Sequence, residues 1–153
     1  KVDRVGMGVS QKTGESENVC VTKAGRAAWE SVFCPPHAKN THMMYAVVDF
    51  PGFKNGRAPR VEIALDYFDE GKGELRVVYD SSDDSVLVSR GSPGAWKEAG
   101  KVALGESGTW KTLRLTVTDA RFSSRCNGGD LRLEWKGVAG NPALAGISIK
   151  RLD

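Results

Sequence analysis

The stretch Val61-Glu-Ile-Ala-Leu-Asp-Tyr67 decides the fold, because every second side chain is apolar and the residues between include two acids. After the turn Asp69-Glu-Gly-Lys-Gly73, the same alternation resumes over residues 74–81. Alternation with a period of two indicates a β-strand with one buried face. The stretch therefore predicts two strands joined by a tight turn, with their apolar faces in one core.

Turn signals recur along the chain on both sides of this stretch. The predicted strands cover residues 4–10, 18–23, 26–33, 43–50, 59–68, 74–81, 96–104, 109–118, 129–136 and 145–152. A short edge strand is also expected over 84–90, and a single helical turn over 119–122 with Asp119 as its N-cap. This spacing predicts an all-β fold, an antiparallel β-sandwich (jelly roll) of two sheets with roughly nine or ten strands.

Length and composition fit one soluble domain of 153 residues, with 40% hydrophobic and 27% charged residues. The net charge is only +3, and basic residues are interspersed with acids, which argues against a nucleic-acid partner. No apolar run approaches the roughly 18 residues of a membrane span. The chain opens at Lys1 directly into a strand-like pattern. We expect residues 1–153 to form one β-sandwich domain, excised from a larger protein, and a monomer.

The three cysteines leave the redox state open. Cys20 and Cys34 could close a disulfide in an oxidising compartment, which would leave Cys126 free in a polar loop. Three unpaired thiols are the alternative. The chain lacks a Cys-x-x-Cys pattern, which disfavours zinc and redox sites.

The longest connections are expected to meet at one end of the sandwich. If consecutive strands are antiparallel, connections 51–58, 82–95 and 119–128 share one end, and the shorter turns lie mostly at the other. Long loops at one end of a rigid scaffold are where binding usually resides. The candidate ligand-binding residues are Phe53, Lys54, Arg57, Arg90, Trp96, Arg121, Arg125 and Asn127.

Several phrases of the sequence resemble a known class of domain. They are Asp66-Tyr-Phe-Asp-Glu-Gly-Lys-Gly73, Val78-Tyr-Asp-Ser-Ser82, Gly108-Thr-Trp-Lys-Thr112, Asp119-Ala-Arg-Phe122 and Asn127-Gly-Gly-Asp130. In that order, over roughly residues 43–152, they resemble galactose-binding-like jelly-roll domains, the carbohydrate-binding modules of bacterial polysaccharide-degrading enzymes. The resemblance implies carbohydrate binding, a secreted bacterial setting and, in many such domains, a structural calcium ion. It carries over no binding site, because the phrases cover mainly turns and core positions.

The sequence motifs that would indicate a catalytic site are weak. His37 and His42 have a spacing that zinc sites use, with Cys34 close by, but a second cysteine is missing, and we interpret both as ordinary surface histidines. No serine lies in a Gly-x-Ser-x-Gly context. A glycosidase needs only two carboxylates, but Glu62 and Glu134 alternate with core residues and are expected on a solvated sheet face.

Calcium would need oxygen ligands. Asp80, Asp83 and Asp84 lie in one connection, and Glu15 and Glu17 lie in another. Neither group forms an EF-hand pattern, and both are typical of turns. A calcium site is therefore an expectation from the resemblance alone.

The aromatic residues can be sorted by the same alternation. Tyr67, Tyr79 and Trp135 are in phase with core aliphatics, whereas Trp110 is out of phase and expected on an outer face. Trp96, at the end of the longest connection, is a candidate for stacking on sugar rings or for packing. Phe53 is expected either to close the end of the sandwich or to meet a ligand.

The arginines bear on the ligand's charge. Guanidinium groups bind carboxylates and sulfates in bidentate fashion, so Arg57, Arg90, Arg121 and Arg125 would suit an acidic glycan. The alternative is that they pair with neighbouring aspartates or solvate the loops.

Three functions follow. The first is a non-catalytic module that binds polysaccharide or oligosaccharide, including acidic ones, and targets a covalently attached catalytic domain to it. The second is a structural domain that packs on that neighbouring domain. The third is a small polysaccharide lyase or hydrolase.

Overall fold

The computed structural model describes residues 9–12, 21–23, 30–33, 41–138 and 142–152, and the side chains of 42–138 and 142–152. Ten strands lie in these ranges. They are β1 (Val9–Lys12), β2 (Val21–Lys23), β3 (Glu30–Phe33), β4 (Thr41–Val48), β5 (Val61–Asp69), β6 (Glu74–Tyr79), β7 (Lys97–Ala103), β8 (Thr109–Val117), β9 (Leu131–Lys136) and β10 (Leu144–Arg151). A 3-10 helix, Pro51–Gly56, lies between β4 and β5.

The strands form two main antiparallel sheets. The larger has the order β1-β4-β9-β6-β7, the smaller has the order β10-β5-β8, and β2 and β3 pair separately. The predicted antiparallel β-sandwich is therefore confirmed. Within the described ranges, no helix reaches the length and apolarity needed to cross a bilayer.

The core lies between the two sheets. In the larger sheet Leu75 pairs with Trp135 and Tyr79 with Leu131, and all four side chains are buried. Tyr67, Tyr79 and Trp135 are core residues, as their phase predicts. The intervening residues of β6 and β9 face away from the core, on the outer face of the larger sheet.

The two sheets approach closely where β7 meets β8. A Cβ added to Gly100 would lie 2.6 Å from the side chain of Leu115, a distance at which the side chain would have to move. A larger residue at position 100 would therefore displace the side chain of Leu115.

Two local predictions are wrong. Residues 84–90 form no strand, because Asp83 accepts hydrogen bonds from the backbone N–H groups of Ser85 and Val86 and bends the chain into a turn. Residues 119–122 form no helical turn, because the N–H groups of Arg121 and Phe122 both donate to the carbonyl of Asp80. The helical turn lies instead at Pro51–Gly56. The strands predicted over 4–10, 18–23 and 26–33 lie partly outside the described residues.

The three long connections meet at one end of the sandwich, as predicted for connections between consecutive antiparallel strands. The N–H of Gly56 donates to the carbonyl of Arg121 at 2.8 Å, and the N–H of Ser82 donates to that of Asp119 at 2.9 Å. The β4–β5 connection (residues 49–60) and the β6–β7 connection (80–96) are thus both joined to the β8–β9 connection (118–130).

Asp80 and Asp130, both fully buried, hold this end together. Asp130 accepts hydrogen bonds from the N–H groups of Val48 and Ser124 at 2.8 and 2.7 Å. It also pairs with Lys54 at 2.7 Å. Asp80 accepts from the N–H of Ser123 at 2.7 Å and pairs with Arg125 at 2.8 Å. Each carboxylate therefore joins strands and connections that are far apart in sequence.

Asp69 has the same role at the opposite end. It accepts hydrogen bonds from the N–H groups of Gly105 and Ser107 and pairs with Lys111 at 2.9 Å. Hydrogen bonds from Ser107, Gly105 and Lys111 hold the pKa of the Asp69 carboxyl well below its usual range. The β7–β8 turn is thereby tied to the end of β5.

Replacing Asp130 with alanine should lower the free energy of unfolding by about 3 kcal/mol, because it leaves Lys54 and the N–H groups of Val48 and Ser124 without this buried acceptor. Urea titration followed by circular dichroism measures this loss. The exposed Asp84 provides the control, and Asp84→Ala should change stability by less than about 0.5 kcal/mol. Equal effects of the two substitutions would contradict a structural role for Asp130.

The stabilising effect of the Asp69 carboxylate should depend on pH. A carboxyl whose pKa is lowered by folding stabilises the protein above its unfolded-state pKa, about 4, and this contribution is lost as the pH falls towards the folded-state value. The stability difference between wild type and Asp69→Asn should therefore narrow below about pH 4. Urea titrations near neutral pH and at about pH 3 test this, and a difference independent of pH would refute it.

Candidate functional site

A groove of about 570 Å³ lies on the outer face of the larger sheet. Arg76 of β6 and Arg132 of β9 line it, together with Trp96, Asn127 and the 86–90 segment of the β6–β7 connection. Small-molecule sites usually occupy about 300–1,000 Å³. The groove is therefore large enough to hold a ligand.

Register explains why two arginines face this groove. In the register of β6 and β9, Arg76 pairs with Glu134 and Val78 pairs with Arg132. Between these two pairs lies the pair of Val77 and Leu133, whose side chains are buried in the core. Side chains alternate across a strand, so Arg76 and Arg132 face away from the core. The sheet therefore sets the positions of both guanidinium groups.

Glu134 fixes the two arginines. Its side chain is only 4% exposed, and its two oxygens pair with Arg76 at 2.8 Å and with Arg132 at 2.5 Å. Arg76 also pairs with Glu98 of β7 at 2.7 Å. These ion pairs connect three neighbouring strands beneath the groove.

Trp96 folds back onto the sheet just before β7 begins. The Cζ atom of Arg132 lies 4.0 Å from its ring centroid, and Tyr45 meets it edge-on with centroids 6.1 Å apart. Trp96 has a φ of 65°, which places it in the left-handed region and turns the chain into β7. The ring thus contacts both the groove and the sheet.

The β6–β7 connection forms one wall, and its base is firmly held. The N–H of Gly94 donates to the carbonyl of Val86 at 2.9 Å. Lys97 contacts Asp83 at 2.7 Å and Asp119 at 2.5 Å. The hydrogen bond from Lys97 is the largest factor that lowers the pKa of Asp83 to about 2.

The tip of the same connection is open to solvent. Leu87 is 82% exposed. Arg90 is exposed as well, and it forms no ion pair with any residue in the described part of the chain. An apolar and a cationic side chain therefore stand together at the rim of the groove.

Asn127 reaches the groove from a tight hairpin. Cys126 and Gly129 exchange backbone hydrogen bonds at 3.0 and 2.8 Å, and Asn127 and Gly128 both have positive φ. This is the hairpin conformation that Asn-Gly sequences favour. The side-chain nitrogen of Asn127 donates to the hydroxyl of Tyr45 at 3.2 Å.

Cys126 is unpaired and lies in the β8–β9 connection, as expected, but its side chain is fully buried. Burial raises the pKa of its thiol to about 12. The expected pairing of Cys20 with Cys34 lies outside the described residues.

The structure places the eight predicted site residues in separate positions. Arg90, Trp96 and Asn127 line the groove. Lys54 and Arg125 hold the buried Asp130 and Asp80. Phe53, Arg57 and Arg121 lie on the other two connections, where Phe53 packs against the core, Arg57 is bonded to the carbonyl of Pro51 and Arg121 to the hydroxyl of Ser123.

Arg76, Arg132 and residues 86–89 were not among the predicted site residues. Both arginines alternate with core residues of their strands, which is a signal for an outer face. The pairing of β6 with β9, which brings them into one groove, joins strands about fifty residues apart in sequence and leaves no local signal.

The residues considered as metal ligands form no cluster in the described part of the chain. In the described ranges, no three His, Cys, Asp or Glu residues come close enough to hold a metal ion. Asp80 and Asp83 are engaged separately, by Arg125 and Lys97. Glu15 and Glu17, like His37, lie outside the described residues.

The two carboxylates considered for glycoside hydrolysis are far from forming a pair. Glu62 lies in the smaller sheet, paired with Arg114, and Glu134 lies in the larger sheet. The expectation of a solvated position is wrong for Glu134, which is buried. His42 is not a surface residue either, since it is 6% exposed, and its Nδ1 has no hydrogen-bond partner within the described part of the chain.

No protein-family model matches this sequence, and a search of curated proteins finds no match.

Replacing Glu134 with alanine should lower the free energy of unfolding by about 3 kcal/mol, because Arg76 and Arg132 lose a partner in a half-buried setting. Glu62→Ala is the matched control, since Glu62 also pairs with an arginine on an outer face but is more exposed, and its loss should be under about 1 kcal/mol. Thermal and urea unfolding measure both. Similar losses in the two variants would show that Glu134 is not a buried anchor.

Proposed function

We propose that the domain is a non-catalytic carbohydrate-binding module whose ligand lies in the groove on the larger sheet. The observation that carries this proposal is the combination, in one concave site, of an aromatic ring, exposed aliphatic side chains and arginine and amide groups. The resemblance to carbohydrate-binding modules supports it independently of that geometry. In the parent protein, the module would hold an attached enzyme on its polysaccharide in a secreted setting.

The residue types suit the two faces of a sugar. The C–H surfaces of pyranose rings would contact Leu87, Val88 and the accessible part of Trp96. Hydroxyl groups would bond to Asn127 and to the arginines. Arg76 and Arg132 lie on core strands and are held by Glu134, so binding would require little further ordering of these two side chains. A structural calcium ion remains an expectation from the resemblance, and ligand contact in this proposal does not depend on it.

A second function is supported by exposed aromatic residues away from the groove. Phe50 is 57% exposed and packs edge-on against Phe53 at the loop end. Trp110 is 38% exposed on the smaller sheet, edge-on to Phe68. Exposed apolar surface often marks a protein contact. Either surface would suit a structural domain that packs on a neighbouring catalytic domain.

Affinity electrophoresis on neutral and acidic polysaccharides, with calcium present, tests the first function. The wild type should be retarded by at least one polymer. Leu87→Ser should weaken binding about tenfold, because it removes an apolar contact from the rim without touching the core. Phe50→Ser removes another exposed apolar side chain, 57% exposed against 82% for Leu87, at a position outside the groove, and it should bind as the wild type does.

Three outcomes would contradict the proposal. Failure of the folded wild type to bind any polymer would remove carbohydrate binding. A loss in Phe50→Ser with none in Leu87→Ser would move the site to the loop end. New reducing ends, or the ultraviolet absorbance of an unsaturated product, would show a hydrolase or lyase.

A further inference from the structure

We propose that the groove contains an anion subsite, with Arg90 and Arg132 as its donors, which selects polysaccharides bearing carboxylate or sulfate groups. The inference rests on the proposed function, since it names the class of glycan that the same groove would take. Uronic acids and sulfate esters present the same chemistry, an oxyanion that accepts two parallel hydrogen bonds from one guanidinium.

The charges around the groove favour an anion. Three arginines line it, and no acidic residue is among the lining residues. The carboxylates of Glu134 and Glu98 lie against Arg76 and Arg132. Three guanidinium groups against two carboxylates leave one net positive charge. A concave surface with charge of one sign raises the local concentration of the oppositely charged ligand.

Arg90 supplies the unneutralised charge. It is exposed at the rim and has no ion pair with any described residue, in contrast to Arg76, which two glutamates neutralise. An oxyanion reaching Arg90 would displace only water from its guanidinium. Arg90 is therefore the group from which a ligand anion gains most.

Arg132 is held in place before any ligand arrives. Its guanidinium is stacked on Trp96 at 4.0 Å and paired through Nη2 with Glu134 at 2.5 Å. Its buried Nε has no hydrogen-bond partner in the described part of the chain. This buried N–H is out of reach of a ligand, but the Arg132 side chain is 19% exposed and lines the groove. Arg132 thus offers its accessible part to an anion in an orientation that is fixed beforehand.

The arginines at the loop end lack these properties. Arg125 is committed to the buried Asp80, to the carbonyl of Ser81 and to the carbonyl of Pro93. Arg57 is exposed but does not line the groove, and its contact is the carbonyl of Pro51 at 3.5 Å. Arg57 and Arg90 are therefore a matched pair of exposed arginines, one outside the groove and one within it.

The experiment compares charged and uncharged forms of the same polymers. Polygalacturonate is compared with its fully methyl-esterified form, and chondroitin sulfate with its desulfated, carboxyl-esterified form, by affinity electrophoresis at two salt concentrations. The wild type should bind at least one charged form about tenfold more tightly than its uncharged partner, and salt should weaken that preference. Polygalacturonate tests carboxylate recognition alone. Chondroitin sulfate carries both groups, so its desulfated form with free carboxylates is compared as well, and a loss on desulfation alone would assign the preference to sulfate.

Three arginine variants assign the preference to the groove. Arg90→Ala should lose most of the preference for the charged form while binding to the uncharged form changes less than twofold. Arg90→Lys, which keeps the charge but not the bidentate geometry, should fall between wild type and Arg90→Ala. Arg57→Ala should behave as the wild type does.

The outcomes separate this inference from the proposed function. Equal binding of charged and uncharged forms, or of wild type and Arg90→Ala, would overturn the anion subsite and leave carbohydrate binding intact. Equal losses in Arg57→Ala and Arg90→Ala would show a diffuse charge effect and also overturn it. Absence of binding to every polymer would overturn the proposed function and the inference together.

Discussion

The arrangement of the loop end depends on two carboxylates that are completely removed from water, Asp80 and Asp130. Each takes hydrogen bonds from the backbone of the β8–β9 connection and an ion pair from a long basic side chain. Buried charge is tolerable only when its bonds are complete, and here they are made by residues from distant parts of the chain. Closing this end therefore requires the three long connections to be in place together.

The groove is built on a second such arrangement, around Glu134. The glutamate is nearly buried on a sheet face that would otherwise meet solvent, and it orients two arginines towards the groove. The protein thus uses one principle twice, a buried carboxylate that aligns basic groups. At the loop end the basic groups serve the scaffold, whereas above the larger sheet one of them remains available at the surface of a cavity.

The sequence was sufficient to predict the strands and the core, but it predicted only some of the residues that line the groove. Alternation in residues 61–67 was enough to predict the strands, because burial on one face leaves a period of two in the chain. It also placed Tyr67 in the core and Trp110 on an outer face. The groove could not be assembled in the same way, because it depends on the pairing of β6 with β9 and on the left-handed conformation of Trp96. The failed edge strand over 84–90 has a similar cause, since the turn at Asp83 is decided by side-chain hydrogen bonds that propensity does not register.

The tip of the β6–β7 connection lies outside both of these buried carboxylate arrangements. Its base is closed by the bond between Val86 and Gly94 and by the contacts of Lys97, while Leu87 and Arg90 project beyond them. Changes at the tip would therefore be almost free of thermodynamic consequence for the fold, although they would alter one wall of the cavity. If the groove binds a ligand as proposed, such a division would let substitutions at the tip alter ligand preference while the framework stays unchanged. Proteins with this architecture would then be poor guides to one another's ligands, even where their cores are closely alike.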